Sequence, residues 1–208
     1  MTASTERFIH RDPLASAFWD ERVTRQFVPW DQPDVPVELA HFVGQAEQPM
    51  SVFIPGCGMG HEVNHLAQAG WPVVAIDFSL ETVNAARAAL DLHAGCVMQA
   101  DFFSFVPPTP IDFIYERAFL CALPRSRWPY VIHRWAQLLP IGGLLGGFFF
   151  FDSALSGPPF GADRSQLDSL MQPYFELLDD RPAAHSVAVF AGRERWQVWR
   201  RRDATVSQ

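Results

Sequence analysis

Short apolar runs alternate with segments of helical spacing along most of the chain. The apolar runs predict buried strands at residues 50–54, 73–76, 97–98, 111–115 and 144–151. The segments of helical spacing predict helices at residues 61–69, 80–90 and 128–139 and near 165–171. Strands that alternate with helices are typical of parallel β-α-β units, and strands without polar alternation are typical of a sheet with helices on both faces.

Two further strand-like runs lie near the end of the chain, at residues 186–190 and 195–200, with Ala191-Gly192 between them as a turn. We expect these runs to pair as an antiparallel hairpin at the edge of the sheet. The sequence therefore predicts an α/β fold with a doubly wound, Rossmann-like, mostly parallel sheet and a C-terminal antiparallel hairpin strand. A length of 208 residues suits a single domain over residues 1–208.

Charge and residue usage exclude several kinds of function. The net charge of −7 argues against a general affinity for nucleic acid or for anionic membranes. All 16 cationic residues are arginines, so the chain has no lysine for a Schiff base or for a P-loop.

We expect the protein to be cytoplasmic. The longest apolar run, residues 138–151, is broken by proline and glycine and is shorter than the roughly 20 residues that a membrane span needs. The N-terminus lacks the apolar stretch of a signal peptide, and the three cysteines indicate neither a zinc knuckle nor a disulfide framework.

A glycine-rich loop separates the first predicted strand from the first predicted helix, where a doubly wound sheet binds its ligand. Its glycines are Gly56, Gly58 and Gly60, whereas the dinucleotide pattern G-x-G-x-x-G would place the last glycine at the position of His61. The spacing G-x-G-x-G resembles that of the class I S-adenosylmethionine-dependent methyltransferases.

Acidic residues end the next two predicted strands. Asp77 lies where an acid accepts hydrogen bonds from both ribose hydroxyls of a nucleoside cofactor, and Asp101 lies where an adenine amino group can be bound. The alternative is that the glycines only turn the chain and the acids only cap helices. That alternative does not explain why acids end two successive strands.

The segment His61-Glu62-Val63-Asn64-His65 matches the zinc-protease pattern H-E-x-x-H. The chain offers no convincing third ligand, and Glu62 fits the positive end of the helix that follows the glycine loop. We therefore predict no metal site, with His65 as an ordinary, partly buried histidine.

Several segments together resemble the thiopurine methyltransferase family and its relatives, the plant thiol and halide methyltransferases. The likeness spans roughly residues 18 to 200. The matching segments are Phe18-Trp19-Asp20-Glu21-Arg22, Pro29-Trp30-Asp31-Gln32, residues 54–63, Ala100-Asp101-Phe102-Phe103, Tyr115-Glu116-Arg117-Ala118, Gly157-Pro158-Pro159-Phe160 and residues 194–199. Val23 departs from the family, which often has a second tryptophan there.

The resemblance implies S-adenosyl-L-methionine as cofactor, S-adenosyl-L-homocysteine as its product, and residues 1–48 as a lid that covers the substrate. The implied cofactor-binding residues are Trp19, Trp30, Gly56, Cys57, Gly58, Asp77, Phe78, Asp101, Phe102 and Arg117. The tryptophans would cover the cofactor, the glycines would lie along its methionine part, and Asp77 would hold the ribose. Phe78, Asp101 and Phe102 would enclose and recognise the adenine. Cys57 matches the family's P-G-C-G motif and is expected to be a small packing residue there.

The resemblance implies a methyltransferase that acts on a small molecule such as a thiol, a thiopurine or a related soft nucleophile. Our hypothesis is that Arg117 supplies a positive field for a thiolate and that Asp31 positions or deprotonates the acceptor. Asp31 has the alternative role of an N-cap or turn residue. Five aromatic residues could line an acceptor pocket, although a place in the core explains each of them better: Phe8, Phe18, Phe27, Trp30 and Phe160.

Three other functions stay open. A methyltransferase of nucleic-acid or protein amino groups would have [N/D]-P-P-[Y/F/W] after the fourth strand, where this chain has Tyr115-Glu116-Arg117-Ala118. The arginines between 193 and 202 could contact RNA, although a solvated edge strand explains them as well. The remaining two are a non-catalytic cofactor-binding module that regulates a partner, and a nicotinamide oxidoreductase.

Overall fold

Seven strands form one sheet in the computed structural model, which describes residues 7–154 and 156–203. The strands are β1 (Val52–Pro55), β2 (Val73–Asp77), β3 (Val97–Gln99), β4 (Phe113–Arg117), β5 (Leu144–Phe150), β6 (Phe175–Pro182) and β7 (Glu194–Arg201). Their order is β3-β2-β1-β4-β5-β7-β6, with β1 to β5 parallel and β7 antiparallel to both of its neighbours. The predicted doubly wound, mostly parallel sheet is confirmed.

Helices cover both faces of this sheet. They are α1 (Ser16–Thr24), α2 (Val37–Gln45), α3 (His61–Gln68), α4 (Leu80–Leu90), α5 (Trp128–Leu138) and α6 (Arg164–Met171). The buried side chains of α2, α3 and α4 share one hydrophobic core, and those of α5 and α6 share another. Among the described residues no helix is both long enough and apolar enough to cross a membrane.

The two cores explain why the parallel strands show no polar alternation. In β1, Val52 and Ile54 pack into the core of α2 to α4, while Phe53 between them packs into the core of α5 and α6. Successive side chains of a strand point to opposite faces, so a sheet that is covered twice needs apolar residues at every position.

The predicted strand at residues 186–190 is wrong. The strand that pairs with β7 at the edge of the sheet is β6, and residues 183–193 form the connection between these two strands. The apolar residues of this segment, such as Val187 and Phe190, do not form a strand. They pack against Cys121 and Phe150 instead. The edge strand β6 is rich in acids that pair with arginines, such as Glu176 with Arg200. Because these residues are polar, the strand lacks the apolar pattern from which the other strands were predicted.

Helices α1 and α2 were not predicted. Phe18 is the one buried residue of α1, so this helix lacks the apolar stripe on which a prediction depends. It is held in place by a polar contact: the Asp20 carboxylate accepts hydrogen bonds from Ser79 Oγ (2.6 Å) and from the backbone N–H of Glu81 (3.3 Å) at the start of α4. Residues 1–6 of the predicted lid lie outside the described part of the chain.

Candidate active site

A cavity of about 800 Å³ lies at the carboxyl ends of the parallel strands, and the N-terminal residues cover it. Its lining includes the ends of β1, β2 and β4, the glycine loop, and part of the segment before α2. Ligand pockets have volumes of about 300–1,000 Å³, and open α/β sheets bind their ligands at this edge. The fold therefore places a small-molecule site where the sequence motifs converge.

The glycine loop needs glycine for backbone conformation. Gly56, Gly58 and Gly60 have φ values of +63°, +54° and +76°, which residues other than glycine rarely adopt. A Cβ on Gly56 would lie 2.7 Å from the ring of Phe119, whereas a Cβ on Gly58 would meet no atom within 4 Å. The chain thus turns closely against Phe119 and leaves open space at Gly58, which lines the cavity.

Asp77, at the end of β2, joins the loop to the strand. Its carboxylate accepts hydrogen bonds from the backbone N–H of Gly58 (3.2 Å) and of Ser79 (2.9 Å). Burial raises the pKa of this carboxyl to about 6, against those hydrogen bonds, which lower it. A carboxylate offers about four lone pairs, so acceptor capacity remains for hydroxyl groups of a ligand in the cavity.

An aromatic wall continues from Asp77 to the end of β3. Phe78 is 41% exposed and Phe102 is buried, and both line the cavity together with Asp101 and Phe103. The Asp101 carboxylate accepts a hydrogen bond from the backbone N–H of Phe103 (2.9 Å), so it also caps the turn that follows β3. An apolar wall with one carboxylate at its rim suits a flat aromatic ring that carries an amino group.

The two tryptophans of the N-terminal segment meet above the cavity. The rings of Trp19 and Trp30 pack edge to face with their centroids 5.5 Å apart, and both line the cavity. Trp19 Nε1 donates a hydrogen bond to the carbonyl of Pro13 (2.9 Å), which fixes the ring of Trp19. Of the other aromatic candidates, Phe8, Phe18 and Phe27 line the cavity as well, whereas Phe160 packs against the core of α5 and α6.

Arg117, at the end of β4, lines the cavity and is held by two polar side chains. Its guanidinium donates to Glu62 Oε1 (3.1 Å) through Nη1 and to Gln32 Oε1 (2.7 Å) through Nη2, and it lies 5.1 Å from the centroid of the Phe148 ring. The side chain of Arg117 is only 13% exposed. Gln32, which the sequence analysis gave no role, therefore connects the N-terminal segment to β4.

Asp31 contacts His61, the first histidine of the H-E-x-x-H segment. His61 Nε2 lies 3.1 Å from Asp31 Oδ1 and 3.3 Å from Oδ2. This hydrogen bond raises the pKa of His61, against burial, which lowers it. The backbone N–H of Asp31 also bonds to the carbonyl of Val28, so Asp31 does lie in a turn, but its carboxylate is directed to His61.

The geometry of the H-E-x-x-H segment is not that of a zinc site. His61 is bonded to Asp31 and Glu62 to Arg117, while His65 Nε2 is buried without a hydrogen-bond partner. No group of three candidate ligands lies close enough to hold a metal ion among residues 7–154 and 156–203.

Cys57, inside the glycine loop, is a buried thiol. Burial raises its pKa well above the ordinary value, and the charges of Asp77 and Glu62 raise it further. A thiol that stays protonated is a poor nucleophile, so these surroundings fit a small packing residue.

The sheet order, the glycine loop and the acids at the ends of β2 and β3 define a class I S-adenosylmethionine-dependent methyltransferase. A solved structure of this class is the 1,6-didemethyltoxoflavin-N1-methyltransferase of Burkholderia thailandensis with bound S-adenosylhomocysteine, which matches 90% of this chain and 87% of its own with a TM-score of 0.72 at 13% identity. Residues 14–202 match the family described as Thiopurine S-methyltransferase (TPMT). The chain belongs to this family.

Curated relatives come from both branches that the sequence motifs indicated. Thiocyanate methyltransferase 1 of Arabidopsis thaliana is 27% identical over 93% of this chain and 88% of its own length. The thiopurine S-methyltransferase of Shewanella denitrificans is also 27% identical, over 79% of this chain and 89% of its own length. The chain is thus an S-adenosylmethionine-dependent methyltransferase that is similar to enzymes with different acceptors.

Proposed function

We propose that this chain transfers the methyl group of S-adenosylmethionine to the sulfur of a small, soft nucleophile such as a thiol, a thiopurine or thiocyanate. The observation that carries the proposal is the place of Arg117, a partly buried cation at the end of β4 inside a cavity with aromatic walls. A positive charge there favours the thiolate over the thiol, and the thiolate is the reactive form. The relatives act on thiopurines and on thiocyanate, as their names state.

The cofactor fits the side of the cavity that is formed by β1 to β3. We propose that Gly56 and Gly58 lie along the methionine part of the cofactor and that Cys57 packs beneath the glycine loop. We also propose that Asp77 accepts hydrogen bonds from the ribose. The adenine would be enclosed by Phe78 and Phe102, recognised by Asp101, and covered from above by Trp19 and Trp30. When bound, the cofactor supplies a methyl group that is already activated by a sulfonium centre.

The acceptor would occupy the other side of the cavity, against Arg117. We propose that its walls come from Phe8, Phe27, Pro158, Val189 and Phe190, all of which line the cavity. An apolar wall excludes water and holds the nucleophile in line with the methyl group, and such alignment is the larger part of what a displacement of this kind requires.

We further propose that residues 1–208 act as one domain and that residues 1–48 form the lid over this site. The contacts of Asp31 with His61 and of Gln32 with Arg117 support the lid, because they connect the N-terminal segment to the floor of the cavity. We also propose a cytoplasmic location, where the free thiols of Cys57, Cys96 and Cys121 stay reduced.

We propose a small molecule rather than nucleic acid as the partner. The arginines near the end of the chain face acids instead of forming an open basic patch: Arg193 pairs with Asp152, Arg195 with Asp180 (2.6 Å) and Arg200 with Glu176 (2.6 Å). A phosphate backbone would have to displace these carboxylates.

Incubation of the purified protein with labelled S-adenosylmethionine and a panel of thiols, thiopurines, thiocyanate, halides and chalcogen oxyanions tests the proposal. We expect transfer to a sulfur acceptor, and we expect Arg117→Ala to reduce it by about 100-fold, because it removes the cation that stabilises the thiolate. Arg200→Gln, at the exposed end of the sheet, is the matched control. Unchanged transfer and unchanged cofactor affinity in Arg117→Ala would refute the role of Arg117. Tight binding of S-adenosylhomocysteine without transfer to any acceptor would instead indicate a regulatory module.

A further inference from the structure

His61 and Asp31 form a hydrogen-bonded pair inside the cavity, although they are 30 residues apart in the chain. His61 is the first residue of α3, its side chain is 26% exposed, and it is the only histidine among the described residues that lines the cavity. Nε2 is bonded to both carboxylate oxygens of Asp31, while Nδ1 has no hydrogen-bond partner in the described part of the chain.

The pairing determines which ring nitrogen can act as a base. A carboxylate only accepts hydrogen bonds, so Nε2 must carry the hydrogen that Asp31 receives. In the neutral imidazole the other nitrogen then holds a lone pair. Nδ1 of His61 is therefore an available proton acceptor, and Asp31 stabilises the imidazolium that forms when a proton arrives.

The other carboxylates of the cavity are less suited to this task. Glu62 accepts from Arg117 and lies 3.5 Å from the hydroxyl of Tyr115. Asp77 accepts from two backbone N–H groups, and Asp101 accepts from the backbone N–H of Phe103. Arg117 stabilises a thiolate but cannot take up a proton, because its guanidinium is always protonated. A protonated acceptor therefore needs a second group.

We propose that His61 accepts the proton of a thiol acceptor and that Asp31 is the positioning residue that orients the His61 ring. The inference rests on the proposed function, since it concerns the same reaction. The S–H proton passes to Nδ1 of His61, and the acceptor sulfur forms a bond to the methyl carbon. The electron pair of the broken sulfonium C–S bond stays on the sulfur of the product S-adenosylhomocysteine, and His61 later releases the proton to water.

The proposal has a definite pH dependence. The groups that face His61 are Asp31 from the segment before α2, Glu62 from α3 and Arg117 from β4. Asp31 makes the largest contribution and raises the pKa of His61. The proton-accepting form is populated above that pKa, so transfer to a thiol should rise as the pH rises through it.

Only acceptors that carry a proton should depend on His61 for their methylation rate. Thiocyanate is an anion at neutral pH and needs no base, whereas an alkyl thiol with a pKa of about 8.5 does. We expect His61→Gln to lower transfer to the alkyl thiol by about 100-fold at pH 7, the usual size of a general-base effect, and to change transfer to thiocyanate by less than about threefold. His41→Gln, an exposed histidine on α2, is the control and should change neither rate.

Equal losses with both acceptors in His61→Gln, or no loss with the thiol, would overturn the role of His61. If thiocyanate is not an acceptor of the wild type, the thiol is compared at pH 7 and at a pH above its own pKa, where the loss in His61→Gln should vanish. A wild type that transfers to no sulfur acceptor would refute the proposed function itself, and a loss in His61→Gln that is unselective would refute only the present inference.

A measurement without turnover tests the role of Asp31. The pKa of His61, followed by the NMR signals of its ring, should fall in Asp31→Asn and return in Asp31→Glu, while the affinity for S-adenosylhomocysteine stays within about threefold. The same pKa of His61 in the wild type and in Asp31→Asn would overturn the positioning role.

Discussion

Burial sets the ionisation of the most perturbed carboxyl groups near the site. It raises the pKa of Asp77 to about 6 and that of Glu116, next to Arg117 on β4, to about 8. The two residues differ in their surroundings, because Asp77 lines the cavity and Glu116 is fully buried and accepts hydrogen bonds from the backbone N–H of Leu120. One is placed to meet a ligand, and the other lies in the interior.

Asp77→Asn should lower the affinity for S-adenosylhomocysteine by about 10- to 100-fold, because a hydrogen bond to a charged group contributes roughly 1.5–3 kcal/mol. In the wild type the affinity should also weaken as the pH falls through about 6, since the carboxylate is then lost. Calorimetric titrations at pH 5 and pH 8 measure both effects, with Asp179→Asn, a half-buried residue on β6 outside the cavity, as the control. A pH-independent affinity in the wild type, together with full affinity in Asp77→Asn, would argue against contact with the ribose.

Glu116→Gln should make stability less dependent on pH. A carboxyl whose pKa rises from 4.5 in the unfolded chain to about 8 in the folded protein stabilises the fold fully below pH 4.5, and this contribution is lost as the pH rises through 8. The variant keeps an oxygen for Leu120 but cannot ionise. We expect it to gain stability over the wild type between pH 5 and pH 9, on the order of a few kcal/mol.

Urea unfolding at pH 5, 7 and 9 measures this difference, and the exposed Glu176→Gln serves as the control. A constant difference between Glu116→Gln and the wild type at all three pH values would show that Glu116 does not titrate in this range.

Sequence reasoning reached the residues whose position follows from the local chain. Gly56, Gly58 and Asp77 lie beside strand ends that hydrophobic periodicity already places at one edge of the sheet. It missed Gln32 and the pairing of His61 with Asp31, because the contact depends on how the segment before α2 folds back over the sheet. Two polar residues 30 positions apart give no periodic signal for such a contact.

At the scale of elements, the attachment of α1 to α4 depends on few groups. Asp20 accepts from Ser79 Oγ and from the backbone N–H of Glu81, and its negative charge lies at the positive N-terminus of α4. Ser79 in turn caps α4, because its hydroxyl oxygen accepts from the backbone N–H of Thr82 (3.0 Å).

Asp20→Ala should cost about 1 kcal/mol of stability, because it removes the acceptor of two hydrogen bonds and a negative charge at the N-terminus of α4, and should expose the N-terminal segment to proteolysis. Thermal unfolding and limited proteolysis of the variant measure the two effects, with exposed Asp34→Ala as the control. Equal protease resistance of Asp20→Ala and the wild type would show that α1 is held by other contacts.

Substitution of two glycines by alanine should have opposite effects on stability, because only Gly56 has a positive φ. Gly56→Ala should cost more than about 1 kcal/mol and weaken cofactor binding, since its φ is +63° and its Cβ would lie 2.7 Å from Phe119. Gly44→Ala, in α2 with no atom within 4 Å of the added Cβ, should stabilise the protein by roughly 0.5–1 kcal/mol. Urea unfolding of both variants tests the contrast, and a stabilised Gly56→Ala would contradict it.

The sequence predicted the helices that bury one continuous apolar face and the strands that are buried on both faces. α4 and α5 are examples, and their bounds differ from the predicted ones by one residue at most. The acidic edge strand β6 and the weakly apolar helix α1 have little buried surface of this kind. Their positions depend on ion pairs and on a cap to another helix, which periodicity does not record.

At the scale of the whole molecule, the cavity that we propose to hold both cofactor and acceptor is lined by the sheet on one side and by the N-terminal segment on the other. β1 to β3 provide the side with the glycine loop and the acids, and β4 provides Arg117. Asp31 contacts His61 and Gln32 contacts Arg117, so direct contacts couple the segment before α2 to the floor of the cavity. The sheet could be predicted because both of its faces are apolar, whereas the coupling depends on side chains that meet only in the folded chain.

Methyl transfer to sulfur is tested most directly by the identity of the methylated atom. The wild-type protein is incubated with S-adenosylmethionine labelled with ¹³C at the transferred methyl group and with an acceptor that contains both a sulfur and a ring nitrogen, such as a thiopurine. We expect the label in the product as an S-methyl group, in amounts equal to the S-adenosylhomocysteine formed. Label on nitrogen, or label that stays on the cofactor with every sulfur acceptor, would contradict the claim.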